Sequence, residues 1–150
     1  TEHQICTEFR NLVLQKLQTF GVSVSSDGTG LSNKPLREVV KLFSPKDLAV
    51  EFHLNAGPPA ATGVETLSAP KDYKLGKALC ETIARTLDIK NRGAKPENSG
   101  QHKTLAFVQA GGIIVELFFI SNKQDLAAYL ARKQELAQEV AEVLLEYANA

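Results

Sequence analysis

The chain has 150 residues, with 17 Lys and Arg against 17 Asp and Glu, which predicts one neutral domain with room for a sizeable core. A balanced charge provides no global positive field for nucleic acid or an anionic membrane, so we expect neither as a partner. No apolar run is long enough to span a bilayer, and no signal-peptide pattern is visible.

Helical and extended patterns alternate along the chain. In some segments apolar residues recur with a helical period, and elsewhere short apolar or β-branched runs lie between turn-forming residues. In chain order we predict a helix over 2–20, a strand over 22–26, a turn over 27–30, a short helix over 36–43, strands over 48–54 and 63–67, a helix over 70–87, a polar loop over 88–103, strands over 103–109 and 112–120, a capping box at Asn122 and Asp125, and a final helix over 133–147. This order predicts an α/β fold with a single mixed, mostly parallel twisted sheet flanked by helices.

Two of the predicted buried strands carry ionisable residues, and an unpaired buried charge is costly. Glu51 and His53 lie near the end of the strand over 48–54, and their spacing of two places them on the same face. A lone core histidine is more often hydrogen-bonded to a neighbour than bound to a metal. Glu116, the one carboxylate in a second apolar strand, shifts the balance towards a site.

Three separate segments could bring side chains to one rim of the sheet. Ligands of open α/β sheets gather at the carboxyl ends of strands, where His53 lies, and Glu2 opens a helix that would begin at the same edge. A His and a Glu with an open position suit catalytic zinc, which activates water and polarises a carbonyl. A further carboxylate would then serve as general base.

The other candidate residues have simpler explanations. His3 points about 100° around the helix from Glu2, and His102 lies in the polar loop, where it is exposed or faces substrate. Glu65 lies on a short strand, where a solvated edge position explains it equally well. Cys6 and Cys80 lack the spacing of a zinc ribbon or redox motif, so we expect reduced thiols without a catalytic part.

Two longer motifs resemble those of a known family. His53-Leu-Asn-Ala56 followed by Ala61-Thr-Gly-Val-Glu-Thr66 is similar to the His-x-Asn-Ala … Gly-Val-Glu signature of zinc-dependent N-acetylmuramoyl-L-alanine amidases of the amidase-3 type. Ile113-Ile-Val-Glu-Leu-Phe-Phe-Ile-Ser-Asn122 resembles that family's Val-Glu-x-Gly-Phe-Ile-Ser-Asn segment. Glu2, at the head of an amphipathic helix, resembles the family's helix-borne zinc glutamate. The resemblance covers essentially the whole chain.

The resemblance implies that Glu2 and His53 bind zinc and that Glu116 is the catalytic carboxylate. It also implies hydrolysis of the amide bond between N-acetylmuramic acid and L-alanine in peptidoglycan, the expected partner. The protein would then act on the bacterial cell wall, in the periplasm or outside the cell, and we expect a monomer. A compact catalytic domain fits an antimicrobial phage endolysin or a bacterial wall-remodelling enzyme.

Two departures from the family pattern leave alternatives open. Phe118 stands where the family has Gly, and nothing in the chain corresponds to the family's N-terminal strand and first zinc-histidine segment. We expect residues 1–150 to form a single catalytic domain that lacks this segment, and His3 could replace the histidine only if the helix start rearranged. The alternatives are a non-catalytic relative that binds wall peptides without zinc, and a different zinc hydrolase such as a peptidase.

Overall fold

The computed structural model describes residues 1–21, 24, 48–99 and 105–148. In chain order the described elements are α1 (Glu2–Thr19), β1 (Val50–Asn55), β2 (Val64–Ser68), a 3-10 turn (Pro70–Asp72), α2 (Tyr73–Leu87), β3 (Asn91–Pro96), a 3-10 turn (Glu97–Ser99), α3 (Ala106–Gln109), β4 (Ile113–Phe119) and α4 (Lys123–Ala148). The predicted strand over 22–26, the turn over 27–30, the short helix over 36–43 and His102 lie outside the described residues.

The four described strands form one sheet in the order β1-β4-β2-β3. β1 pairs with β4 in parallel, β2 pairs with β3 in parallel, and β2 pairs with β4 antiparallel. β4 therefore lies between two other strands, and all its residues except Glu116 are buried. This position accounts for its nearly continuous apolar sequence. The predicted α/β class, with a mixed, mostly parallel sheet flanked by helices, is confirmed.

The three long helices build the main core against this sheet. α4 contacts both α1 and α2, while α1 contacts β1 and α2 contacts β2 and β3. Phe118 is fully buried, and its ring stacks on that of Tyr129 in α4 with the centroids 5.3 Å apart. The bulky residue that departs from the family pattern is thus part of the core. Among the described residues, no helix combines the length and apolarity that crossing a membrane requires.

The prediction of a polar loop over 88–103 is wrong in its described part, because β3 and a 3-10 turn occupy residues 91–99. β3 shows no apolar alternation, so hydrophobic periodicity could not reveal it. Its backbone pairs with β2, and its charged residues Arg92 and Lys95 contact Glu65 of that strand. Long-range pairing, which the local sequence does not report, decides this element.

The prediction of a strand over 103–109 is wrong for residues 105–109, where α3 forms a single helical turn. The N–H of Leu105 donates to Glu97 at 2.7 Å, and the N–H of Gln109 closes the turn on the Leu105 carbonyl at 2.9 Å. Phe107 and Val108 are buried, as they would be in a strand. A short apolar run does not distinguish the two conformations.

The final helix begins ten residues earlier than the predicted 133. Asn122 caps it, because its side-chain oxygen accepts the N–H groups of Gln124 at 2.9 Å and Asp125 at 3.0 Å. The predicted capping position therefore opens the same helix that the 133–147 stripe belongs to. The predicted helix over 70–87 begins with a separate 3-10 turn at its Pro70 end.

Candidate active site

Three ionisable residues form a row across three neighbouring strands. His53 on β1 pairs in register with Glu116 on β4, and Glu116 pairs in turn with Glu65 on β2. Residues paired in this way project from the same face of a sheet, so the row brings an imidazole and two carboxylates side by side. The register between β1 and β4 shifts directly after His53, and such irregularities re-aim side chains at the rim of a sheet.

Glu2 reaches this row from the first turn of α1. The side chain of Thr1 accepts the N–H of Gln4 at 3.3 Å, and the Thr1 nitrogen donates to the Gln4 side chain at 3.1 Å, which fixes the helix start as a capping box. Glu2 Oε1 lies 3.6 Å from His53 Nδ1 and accepts the N–H of Leu54 at 3.4 Å. The structure therefore brings Glu2 and His53 together.

His53 faces a carboxylate at each ring nitrogen. Its Nε2 is hydrogen-bonded to Glu51 Oε1, and its Nδ1 faces Glu2. Burial by itself lowers the pKa of His53, but the hydrogen bond to Glu51 and the charges of Glu51, Glu116 and Glu2 outweigh it and raise the pKa above its usual value. The surrounding carboxylates thus favour the protonated form of the imidazole when no metal is bound.

The pKa of Glu116 is well above that of an ordinary glutamate. Burial raises its pKa to about 7, the carboxylates of Glu2, Glu65 and Glu51 act in the same direction, and only His53 opposes them. Its Oε2 atom is buried and has no hydrogen-bond partner. Buried polar atoms are nearly always satisfied, so this oxygen is placed to receive a proton, a water molecule or a cation.

The surroundings of Glu65 lower its pKa, although this residue is paired with Glu116. It accepts a hydrogen bond from Asn55 at 2.8 Å and lies 2.7 Å from Lys95 Nζ and 3.6 Å from Arg92 Nε. Burial opposes ionisation, but these partners outweigh it and lower the pKa of Glu65. Its side chain is 14% exposed and β2 lies between two strands, so the solvated edge position considered from the sequence is wrong. Paired acids with divergent pKa values are typical of acid–base sites.

The two family-like motifs contact each other around this row. Gly57 N–H donates to the Ser121 hydroxyl at 3.0 Å, and the Asn122 side chain donates to the Ala61 carbonyl at 3.2 Å. The loop after β1 is therefore attached to the end of β4 at two points. Asn55 belongs to the first motif and donates a hydrogen bond to Glu65, a contact that the sequence did not reveal.

Asp125 completes this attachment from inside the protein. Its side chain is buried and accepts the Thr62 hydroxyl at 2.5 Å, the Gly63 N–H at 3.3 Å and the Phe119 N–H at 3.1 Å. The sequence suggested only that Asp125 belongs to a helix cap. The structure shows that it also joins β2's leading loop to the end of β4, which keeps Glu65 opposite Glu116.

A cleft of about 440 Å³ opens beside the row and is lined by Thr1, Glu2, His3, Cys6, Phe52 and His53. His3 therefore lines the same cleft as Glu2, although it was expected to point away. Cys6 and Cys80 are both free, as predicted. Burial, reinforced by the Glu2, Glu116 and Glu51 carboxylates, raises the pKa of Cys6 to about 12, so its thiol stays neutral.

The donor set near the cleft is suited to part of a zinc site. Two donors bound to one tetrahedral zinc at about 2.1 Å lie about 3.4 Å apart. The 3.6 Å between Glu2 Oε1 and His53 Nδ1 is close to this value. Among residues 1–21, 24, 48–99 and 105–148, no three His, Cys, Asp or Glu side chains come together as a metal site.

The comparisons with known proteins agree on one family. A family model described as N-acetylmuramoyl-L-alanine amidase, Amidase_3, matches residues 1–146. The chain is 40% identical to a candidate N-acetylmuramoyl-L-alanine amidase from Neisseria meningitidis, with 99% of this chain and 85% of that chain covered and a TM-score of 0.89.

More distant structures share the fold. The chain is 21% identical to the amidase AmiC2 of Nostoc punctiforme, with 99% and 85% of the two chains covered and a TM-score of 0.82. It is 23% identical to the catalytic domain of the CD27L endolysin that targets Clostridia difficile, with 97% and 83% covered and a TM-score of 0.74. No curated protein sequence matches it. Because the family model spans nearly all its residues, the chain belongs to the Amidase_3 family and is an N-acetylmuramoyl-L-alanine amidase.

Proposed function

We propose that the chain cleaves the amide bond between N-acetylmuramic acid and L-alanine in peptidoglycan in a zinc-dependent reaction. The observation that carries this proposal is the buried Glu116 Oε2, which lacks a partner in a strand position paired with His53. Glu2 and His53 would hold the metal, and their donor atoms have a spacing that suits two ligands of one zinc ion. Bound zinc would polarise the scissile carbonyl and make the attacking water more acidic.

Glu116 would act as the general base and then as the general acid. Its carboxylate takes a proton from the attacking water and delivers it to the leaving amino group of L-alanine. In the metal-free protein burial and the neighbouring carboxylates raise the pKa of Glu116 to about 7, and bound zinc would favour the carboxylate form that accepts the proton. Glu65 stays ionised through Lys95 and Asn55, and its negative charge helps to keep the pKa of Glu116 high.

The same proposal covers the partner of the enzyme and the place where it acts. Its partner would be peptidoglycan, which places its action at the bacterial cell wall, in the periplasm or outside the cell. The protein would act as a monomeric catalytic domain. An antimicrobial phage endolysin and a bacterial wall-remodelling enzyme would both use this chemistry.

Glu116→Gln tests the proposal, with Glu142→Gln on the surface of α4 as the matched control. Because Gln keeps the shape of Glu but cannot accept the proton, turnover on purified peptidoglycan should fall on the order of 10²–10⁴-fold while zinc content is retained. The new amino groups should belong to L-alanine, whereas a peptidase would release internal ones. A normal rate would overturn the role of Glu116, and loss of zinc together with activity would make Glu116 a ligand instead. Full activity without any bound metal would refute the zinc dependence.

A further inference from the structure

Glu51 has no part in the reaction described above, although it contacts the site directly. It lies two residues before His53 on β1, and the two side chains share a face of the strand. Its Oε1 atom is hydrogen-bonded to His53 Nε2, and its side chain is 24% exposed, against 50% for Glu2. A partly buried carboxylate in this position can fix the tautomer and the orientation of the imidazole.

The two nitrogens of the His53 ring have different neighbours. An imidazole that binds a metal through one nitrogen usually donates its other N–H to a carboxylate, and this partner fixes the tautomer and the ring orientation. In His53 the Nε2 side is occupied by Glu51, while Nδ1 lies 3.6 Å from Glu2 Oε1. The two carboxylates therefore lie at opposite ends of the ring, with Glu51 on the Nε2 side and Glu2 on the Nδ1 side.

We propose that Glu51 is a positioning residue for the metal site, which holds the Nε2–H of His53 and directs the Nδ1 lone pair to the position beside Glu2. The inference rests on the proposed zinc site. Glu51 would not itself bind the ion or touch the substrate. It would lower the cost of ordering His53 before the metal arrives and increase the electron-donating power of the bound imidazole.

The first test measures zinc affinity with Zn²⁺ alone, by competition with a chromophoric chelator. The proteins are the unchanged chain, Glu51→Ala, Glu51→Gln and the control Glu81→Ala, which changes an exposed acid on α2. Loss of a carboxylate partner of a ligating histidine typically weakens metal binding by about 10–100-fold, so Glu51→Ala should lie in that range. Glu51→Gln keeps an acceptor oxygen and should lose less, whereas Glu81→Ala should bind zinc normally.

The second test identifies the bound nitrogen by ¹⁵N-histidine NMR of the zinc-loaded protein. We expect zinc on His53 Nδ1 and a slowly exchanging, downfield Nε2–H proton that disappears in Glu51→Ala. A merely structural Glu51 would change the folded fraction without changing this signature. The unchanged chain alone is sufficient for this readout, so the test does not depend on whether Glu51→Ala folds.

The outcomes separate the inference from the proposed function. Zinc on Nε2, or equal zinc affinity in the unchanged chain and folded Glu51→Ala, overturns the role of Glu51 and leaves the zinc enzyme intact. If the unchanged chain binds no zinc, both the zinc dependence and the role of Glu51 are overturned.

Discussion

Replacing Glu116 with Gln should stabilise the metal-free protein above neutral pH, although it removes the proposed base. Burial, with a smaller contribution from the neighbouring carboxylates, raises the pKa of Glu116 from 4.5 to about 7. Between these two pH values the folded protein keeps a proton on Glu116 that the unfolded chain has released. Raising the pH through this window therefore lowers the free energy of unfolding.

The size of this effect follows from the difference between the two pKa values. A difference of about 2.5 units corresponds to about 3 kcal/mol, because each unit is equivalent to about 1.4 kcal/mol. The stabilising contribution of protonated Glu116 is fully present below pH 4.5 and is lost once the pH has risen through 7. Gln carries no charge at any pH, so the free energy of unfolding of Glu116→Gln does not lose this contribution over the same range.

The measurement is urea unfolding followed by far-ultraviolet circular dichroism, at pH 4 and pH 8, with a chelator present. The difference in unfolding free energy between Glu116→Gln and the unchanged chain should increase by about 3 kcal/mol from the lower to the higher pH. Glu142→Gln, an exposed acid on α4, should show no such increase. A difference for Glu116→Gln that does not change with pH would show that the carboxylate ionises freely, and it would refute the raised pKa of Glu116 and the burial argument behind it.

Three further changes test the supports of the site. Asp125→Ala should lower the free energy of unfolding by about 2–4 kcal/mol in urea titrations, because buried N–H groups such as that of Gly63 lose their acceptor; an unchanged midpoint would contradict this. Gly76→Ala should destabilise by about 1–3 kcal/mol, despite the better helix propensity of Ala, because its Cβ would overlap Thr66 Oγ1; a higher melting temperature would show that the helix can shift. At pH 8 Cys6 should react with iodoacetamide at least about tenfold more slowly than a free cysteine, because its raised pKa leaves little thiolate; mass spectrometry that finds rapid labelling would contradict the raised pKa.

Features that depend on local pattern and burial could be predicted from the sequence. The helical stripe of α1 and the apolar runs of β1 and β4 each report a face that must be covered, and these elements lie close to where they were expected. Glu116 was recognisable as a site candidate because a carboxylate in a buried strand is costly without a partner. The motifs around His53 and Glu116 were sufficient to indicate the family.

Elements and contacts that depend on distant partners could not be predicted from the sequence and required the three-dimensional structure. β3 carries no apolar pattern and exists because its backbone pairs with β2, while its basic side chains hold Glu65. The sequence placed Glu51 and His53 on one face, but it could not show that Glu51 takes one ring nitrogen and Glu2 faces the other. Periodicity reports whether a side chain is buried, whereas the chemistry of a buried carboxylate depends on which charges the fold brings within a few ångströms of it.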